Sequence, residues 1–216
     1  MATNRGIGLE GKTPWQQEGI FLAANMQHFQ HMVMNTQTRD SLHSKNEKCH
    51  KNSAIIMGRV THNNTPHAPV PGCAQYVLTS SPQPSLDPFL FFMRSIDACI
   101  GHACDPWIRS SPQQGARVYQ DEVPMPSVRD LWIVGGESVY RQFLIQRKYP
   151  LYDLWITRVQ NNFDSDRFMP PFEHLFRRVL LSYVPQADPC LYQFERWIPR
   201  CGHKQRSPLL SHIQKR

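Results

Sequence analysis

A chain of 216 residues with 40% hydrophobic content can bury one good core, so a single domain is expected. It holds no run of 18 apolar residues, which excludes an ordinary transmembrane helix, and no apolar core follows residues 1–5 as in a secretory signal. Six cysteines (Cys49, Cys73, Cys99, Cys104, Cys190, Cys201) keep no repeating frame, as reduced thiols of the cytoplasm would not. The net charge is +7, yet the basic residues are dispersed until the C-terminal tail. That weighs against nucleic acid and suits an anionic small molecule, with neither membrane contact nor stable oligomer expected.

Taken in order, Asn4-Arg5-Gly6-Ile7-Gly8-Leu9-Glu10-Gly11-Lys12-Thr13-Pro14-Trp15 is a glycine-rich loop ending at Pro-Trp. No strand precedes its glycines, so it is no dinucleotide fingerprint; it reads as a flexible loop or a lid anchored at Trp15. Residues 23–33 predict a helix, with Leu22, Met26, Phe29 and Val33 on one face and Asn25 at its border. Residues 37–52 are polar and read as a surface loop. Residues 52–61 predict a buried strand that runs through Gly58 into Arg59, Val60 and Thr61 at a helix start, where a guanidinium and the helix dipole together suit a phosphate.

A third apolar run, residues 75–80, ends in Thr79 and Ser80. Residues 82–88 read as a proline-rich loop, 95–102 as a short helix and 105–126 as a long insertion. Cys99, His102 and Cys104 lack a second pair at metal-ligand spacing, so no metal is expected. Leu131-Trp132-Ile133-Val134-Gly135-Gly136-Glu137-Ser138-Val139-Tyr140 is the most informative stretch. An apolar strand stops at two glycines, and Val139, Phe143 and Leu144 then recur at helical spacing. Such a junction frees backbone N–H groups that can hold an anion. Residues 154–159 predict another strand, 163–168 a polar loop, and 179–183 with 191–197 a closing hairpin. Residues 199–216 are basic without apolar periodicity and read as a disordered tail. Strand ends that carry Gly, Arg, Ser and Thr fit an open α/β sheet binding its ligand there.

Four motifs in order carry a resemblance: Asn-x-Gly-Ile-Gly…Pro-Trp, Ile-Ile-Met-Gly-Arg-x-Thr, Trp-Ile-Val-Gly-Gly-x-Ser-Val-Tyr and Thr-Arg-Val…Phe-Asp-Ser-Asp. Together they resemble the eukaryotic type of dihydrofolate reductase over residues 4–197. The resemblance implies an α/β fold: a mostly parallel central sheet, an antiparallel C-terminal strand and flanking helices, spanning 1–198 with insertions near 16–24 and 105–127. It implies NADPH as cofactor and reduction of dihydrofolate to tetrahydrofolate for one-carbon metabolism.

It also assigns residues. Gly6, Ile7, Gly8, Gly11 and Lys12 would form the lid over the nicotinamide, and Trp15 would hold a water near the substrate. Arg59, Val60 and Thr61 would meet the cofactor phosphates, with Thr79 and Ser80 beside the adenosine ribose. Gly135 and Gly136 would form a cis peptide, and Glu137, Ser138, Val139 and Tyr140 would lie at the pyrophosphate. Val134, Tyr140 and Thr157 would face the pterin, and Met26, Phe29, Gln30, Asn64 and Val70 would line the substrate site.

Three departures stand out against that family. Asn25 falls where the family carries its acidic residue, and an amide has one accepting oxygen where a carboxylate has two. Glu18 could substitute only if the helix were re-registered. Cys73 falls at the arginine that grips the folate carboxylate, and a thiol makes no bidentate contact. Only Met1-Ala2-Thr3 precede the glycine loop, where the family has a central strand. The alternatives to dihydrofolate reduction are therefore a non-catalytic NADP-binding relative, or a reductase of another pterin or pyrimidine.

Overall fold

A computed structural model of the chain describes residues 1–34, 53–65, 73–104, 128, 130–183 and 191–200. The expectations for residues 37–52, 105–126 and 201–216, and for Val70, lie outside the described residues. Contacts divide the chain into two compact units, Met1–Asn25 with Gly136–Arg216, and Met26–Gly135. Each unit buries its own apolar clusters, where composition alone suggested one core.

The second unit is built on a four-stranded parallel sheet, ordered β4-β3-β2-β5. Its strands are β2 (Ser53–Gly58), β3 (Ala74–Leu78), β4 (Leu90–Met93) and β5 (Asp130–Gly135). Ala54, Ile55, Ile56 and Met57 are all buried, as expected of a strand covered on both faces. From Met26 onward, α2 (Ala23–Met34) lays Phe29 and Val33 in a cluster with Ile55, Met57, Val77, Trp132 and Val134. Side chains of the opposite sense contact α4 (Ile96–Cys104): Tyr76 stacks on Phe91 at 5.3 Å, and its hydroxyl hydrogen-bonds His102 Nδ1 at 3.1 Å. Burial pushes the Cys99 thiol on α4 up to about 12. Two expectations are corrected here. Leu90-Phe91-Phe92-Met93 forms a strand where none was predicted, and Met26, expected on the apolar face, is 39% exposed.

In the first unit, β6 (Leu154–Val159), β9 (Tyr192–Pro199) and β8 (Phe176–Tyr183) form an antiparallel sheet in the order β6-β9-β8. Pro199 ends β9, and Arg200 N–H donates to Leu175 O at 3.0 Å, so the fold runs past the expected start of the tail. The free edge of β6 is partly covered by the first residues. Met1 donates its ammonium to Thr157 O at 2.7 Å and accepts from Val159 N at 2.9 Å, and Thr3 N donates to Asn161 O at 2.9 Å. Met1 thus pairs with β6 and Thr3 bonds just past its end, while Ala2 N–H turns to Gly6 O, where the resemblance places a whole strand.

Glu195 ties these strands together. It is fully buried, and Arg158 from β6 donates to both its oxygens, at 2.9 and 3.1 Å. Gln193 (2.7 Å), Trp197 (2.9 Å) and Arg178 from β8 (3.3 Å) complete its partners. Burial alone would raise this carboxyl, but the hydrogen bonds from Arg158, Trp197 and Gln193 and the Arg158 charge hold it below its ordinary value. Breaking a buried pair on one side strands the other charge. Glu195→Gln should therefore lose on the order of 3 kcal/mol in urea unfolding at pH 7. Because the native carboxyl is depressed, the wild-type advantage should hold above the ordinary value of 4.5 and fade as pH falls below it.

Candidate functional site

In the second unit the candidate site gathers at strand ends. β3 and β4 step away on one side of β2, and β5 returns to its other side, so the winding reverses between β2 and β5. Ligands of open parallel sheets bind at such a switch point, outside the carboxyl ends of the strands. Register sets Gly58 beside Leu78, and Met57 beside Gly135. Gly58 caps α3 (Arg59–Asn64), whose first residues Arg59 and Val60 are exposed and whose Thr61 is half-buried. Arg59 has no carboxylate partner among the described residues. Past β3, Thr79 N donates to Met93 O at 2.9 Å, Ser81 N donates to Thr79 Oγ1 at 3.2 Å, and Ser80 is exposed. Gly135 ends β5 at φ 103°, a conformation that side chains rarely tolerate.

In the first unit the glycine loop is more ordered than a flexible lid. Gly6–Gly8 form β1, antiparallel to β7 (Arg167–Phe168). Leu9 and Lys12 exchange backbone hydrogen bonds of 2.9 and 3.0 Å around Glu10 and Gly11, at φ 49° and 85°. Two left-handed residues in a two-residue hairpin match the right-handed twist of the strands. A Cβ on Gly6 would overlap Ser165 Oγ and stand 2.8 Å from Ser165 Cβ, so β1 can lie this close to the Ser165 loop only with glycine there. The chain then turns into α1 (Pro14–Gln17), where Gln16 Oε1 accepts from Thr13 Oγ1 at 2.7 Å. Trp15 is buried, edge-on to Phe163 at 6.3 Å.

Asn25 and Thr157, far apart in sequence, meet: Thr157 Oγ1 donates to Asn25 Oδ1 at 2.6 Å, and both are half-buried. Glu18 caps the end of α1 and is exposed, before α2 begins. Gly136 caps α5 (Glu137–Leu144), and its carbonyl accepts from Val139 N and Tyr140 N, each at 3.0 Å. The N–H groups of Glu137 and Ser138 precede these and have no partner within the helix. The Glu137 carboxylate instead accepts Phe168 N at 3.1 Å, fastening α5 to β7. Tyr140 packs against the Met1, Leu144 and Phe172 cluster, and desolvation pushes its phenol up to about 12.

The remaining assigned residues divide. Phe29 and Val134 line the apolar cluster on the α2 face, and Gln30 is half-buried. Asn64 is exposed, its amide nitrogen donating to Val60 O at 2.8 Å. Cys73 is 2% exposed and gives its thiol to Ser53 O at 3.0 Å, so it lies in the core and presents nothing to a ligand. Sequence reading missed the Glu195 hub and the β1–β7 pairing. The alternation Gln193, Glu195, Trp197 on one face of β9 was the available signal for the first.

The family model for dihydrofolate reductase matches residues 1–197. The chain belongs to the dihydrofolate reductase family. Among curated relatives, the dihydrofolate reductase of Aedes albopictus is 25% identical over 83% of this chain and 80% of its own length. That of Bos taurus is 26% identical over 90% and 91%. A solved structure of the Enterococcus faecalis dihydrofolate reductase, complexed with NADP(H) and RAB-propyl, matches at TM-score 0.60 and 16% identity, covering 93% of this chain and 92% of that one. At that identity the likeness speaks for the fold: a parallel sheet of four strands with antiparallel strands and helices, as the four motifs implied. Asn25 thus holds a polar contact, and Cys73 is withdrawn into the core.

Gly6→Ala should cost about 1–3 kcal/mol through overpacking. Adding Ser165→Gly should restore much of it in a double-mutant thermal unfolding cycle, and no coupling would contradict the contact. Tyr140 offers a pH test. Its native phenol lies above the ordinary value of 10.0, so its contribution to stability is whole below that pH and erodes as pH rises toward 12. Tyr140→Phe should flatten the alkaline limb of the stability curve measured by denaturant unfolding.

Proposed function

We propose that the chain is an NADPH-dependent reductase of dihydrofolate, forming tetrahydrofolate in the cytoplasm for one-carbon metabolism and acting as a monomer. One observation carries this reading. Exposed Arg59, with Thr61, Thr79 and Ser80, stands at the carboxyl ends of β2 and β3 beside the switch point, with no carboxylate among the described residues to neutralise the guanidinium. Those residue types suit a phosphate, and an extra phosphate on the adenosine ribose is what separates NADPH from NADH.

The chain's own contribution is binding and alignment, since the hydride itself comes from NADPH when bound. Gly135, at positive φ, lets backbone come close to a ligand, and the Glu137 and Ser138 N–H groups are free to face a pyrophosphate oxygen. Gly6, Ile7 and Gly8, held by β7, with Gly11 and Lys12 in the hairpin, are the nicotinamide-side lid of this reading. Asn25 and Thr157, locked to each other, are the pterin-side contact of this reading, which also assigns Met26, Phe29, Gln30 and Val134 of the second unit to the substrate. Buried Trp15 makes no indole hydrogen bond with a described residue, which leaves its N–H for a water.

Asn25 favours a second reading, a cofactor-binding relative with little turnover, because an amide cannot favour ring protonation as a carboxylate does. Dihydrofolate-dependent NADPH oxidation by the full chain, with NADPH binding followed by fluorescence, decides between them. Slow turnover that rises roughly ten- to hundredfold in Asn25→Asp, about 1.5–3 kcal/mol for one charge-assisted bond, supports the reductase. NADPH binding without turnover in either protein supports the second reading. Arg59→Ala should weaken NADPH about tenfold or more while leaving NADH nearly unchanged, and equal losses for both would remove Arg59 from the 2′-phosphate.

A further inference from the structure

Thr13, Thr65 and Ser81 are the described hydroxyl residues that stand directly before a proline. Thr13 gives its hydroxyl to Gln16 Oε1 at 2.7 Å, and Thr65 gives its own to Thr61 O at 2.8 Å. Both are half-buried. Ser81 differs. Ser81, Pro82, Gln83 and Pro84 are all exposed, residues 82–85 form neither helix nor strand, and the Ser81 hydroxyl bonds to no described residue. The proline that follows disfavours helical backbone at Ser81 and pushes it toward the extended range that a kinase cleft accepts.

The sheet decides what a phosphate on Ser81 would meet. Gly58, Leu78 and Met93 share one row across β2, β3 and β4, so Arg59, Thr79 and Arg94 are the next residues of three adjacent strands. Ser81 N–H donates to Thr79 Oγ1 at 3.2 Å, which keeps the serine close to that row. Its loop therefore leaves the sheet between two exposed arginine positions. Neither guanidinium has a carboxylate partner among the described residues, and Asp97 on α4 makes no ion pair with Arg94. Resting on the reading of Arg59, Thr79 and Ser80 as cofactor contacts, we infer that Ser81 is a phosphorylation site for a proline-directed kinase, and that its phosphate opposes NADPH binding. The Ser81 oxygen bonds to the γ-phosphorus of ATP as the bond from that phosphorus to its β,γ-bridging oxygen breaks. ADP leaves, and the hydroxyl proton passes to the kinase's base. The product carries about −1.5 to −2 charges beside the place that reading gives to the cofactor's own phosphate. It draws on the same guanidiniums and repels a second phosphate, so the cofactor loses affinity.

The test incubates the full chain and ATP with a purified cyclin-dependent kinase and, separately, with a mitogen-activated kinase. Peptide mapping by mass spectrometry should find phosphate on Ser81 in the wild type and none at that position in Ser81→Ala. NADPH titration followed by fluorescence should show about tenfold weaker binding by the phosphorylated chain, a loss that shrinks as salt is raised and is smaller for NADH. Ser81→Ala, treated in the same way, should keep the affinity of the unmodified wild type, which separates Ser81 from phosphate elsewhere on the chain. Phosphate absent from Ser81, or present there without a change in NADPH affinity, overturns the inference and leaves the reductase reading intact. If the unmodified chain binds no NADPH, the cofactor reading fails and the inference goes with it.

Discussion

The first unit depends on one buried carboxylate. Glu195 sits at the centre of β9 and takes hydrogen bonds from β6, from β8 and from its own strand. Without those partners a charge at zero exposure would be far too costly, so the sheet has few ways to slip in register and keep it satisfied. That matters for the site because Thr157 is the residue before Arg158 on β6. Alternation along the strand points Arg158 toward Glu195 and Thr157 to the other face, where Asn25 receives its hydroxyl. The hub does not touch a ligand in this reading. It sets the height and direction of Thr157, the residue that the proposed function puts at the pterin.

The second constraint is the use of glycine where backbone must come close or turn abruptly. Gly6 leaves room for Ser165, and Gly135 ends β5 in a conformation that few side chains accept. Both lie in stretches to which the family resemblance assigns anion-holding or lid roles. The two positions need different properties of the residue: absence of volume at Gly6, freedom of φ at Gly135. A substitution scan would separate them, since trimming the neighbour can relieve the first and cannot relieve the second.

Much of the fold was legible because its signals are local. Ala54-Ile55-Ile56-Met57 is too apolar for a surface strand, and the step from Val134 through two glycines to the Val139, Phe143 and Leu144 pattern marks a strand followed by a helix. What escaped was non-local. The β1–β7 ladder joins two very short strands with no apolar alternation, so neither announces itself, and Leu90–Met93 is short enough to pass for part of a loop. Met26 follows helical spacing yet is exposed, since periodicity gives a face but not whether a neighbour covers it. The candidate site divides in the same way. Residue types at strand ends could be read directly, whereas the withdrawal of Cys73 into the core and the meeting of Asn25 with Thr157 depend on tertiary packing.

Under the proposed assignment, Asn25 and Cys73 bear on one question, how much of a folate's binding energy the side chains at these two positions can supply. A carboxylate and an arginine would each contribute charge-assisted contacts at opposite ends of the substrate, worth roughly 1.5–3 kcal/mol apiece. Under that assignment a neutral amide stands at the first position and a buried thiol at the second. The two losses act differently. Loss at the ring bears on orientation and protonation, and so on the chemical step; loss at the tail removes binding that is uniform between ground and transition states.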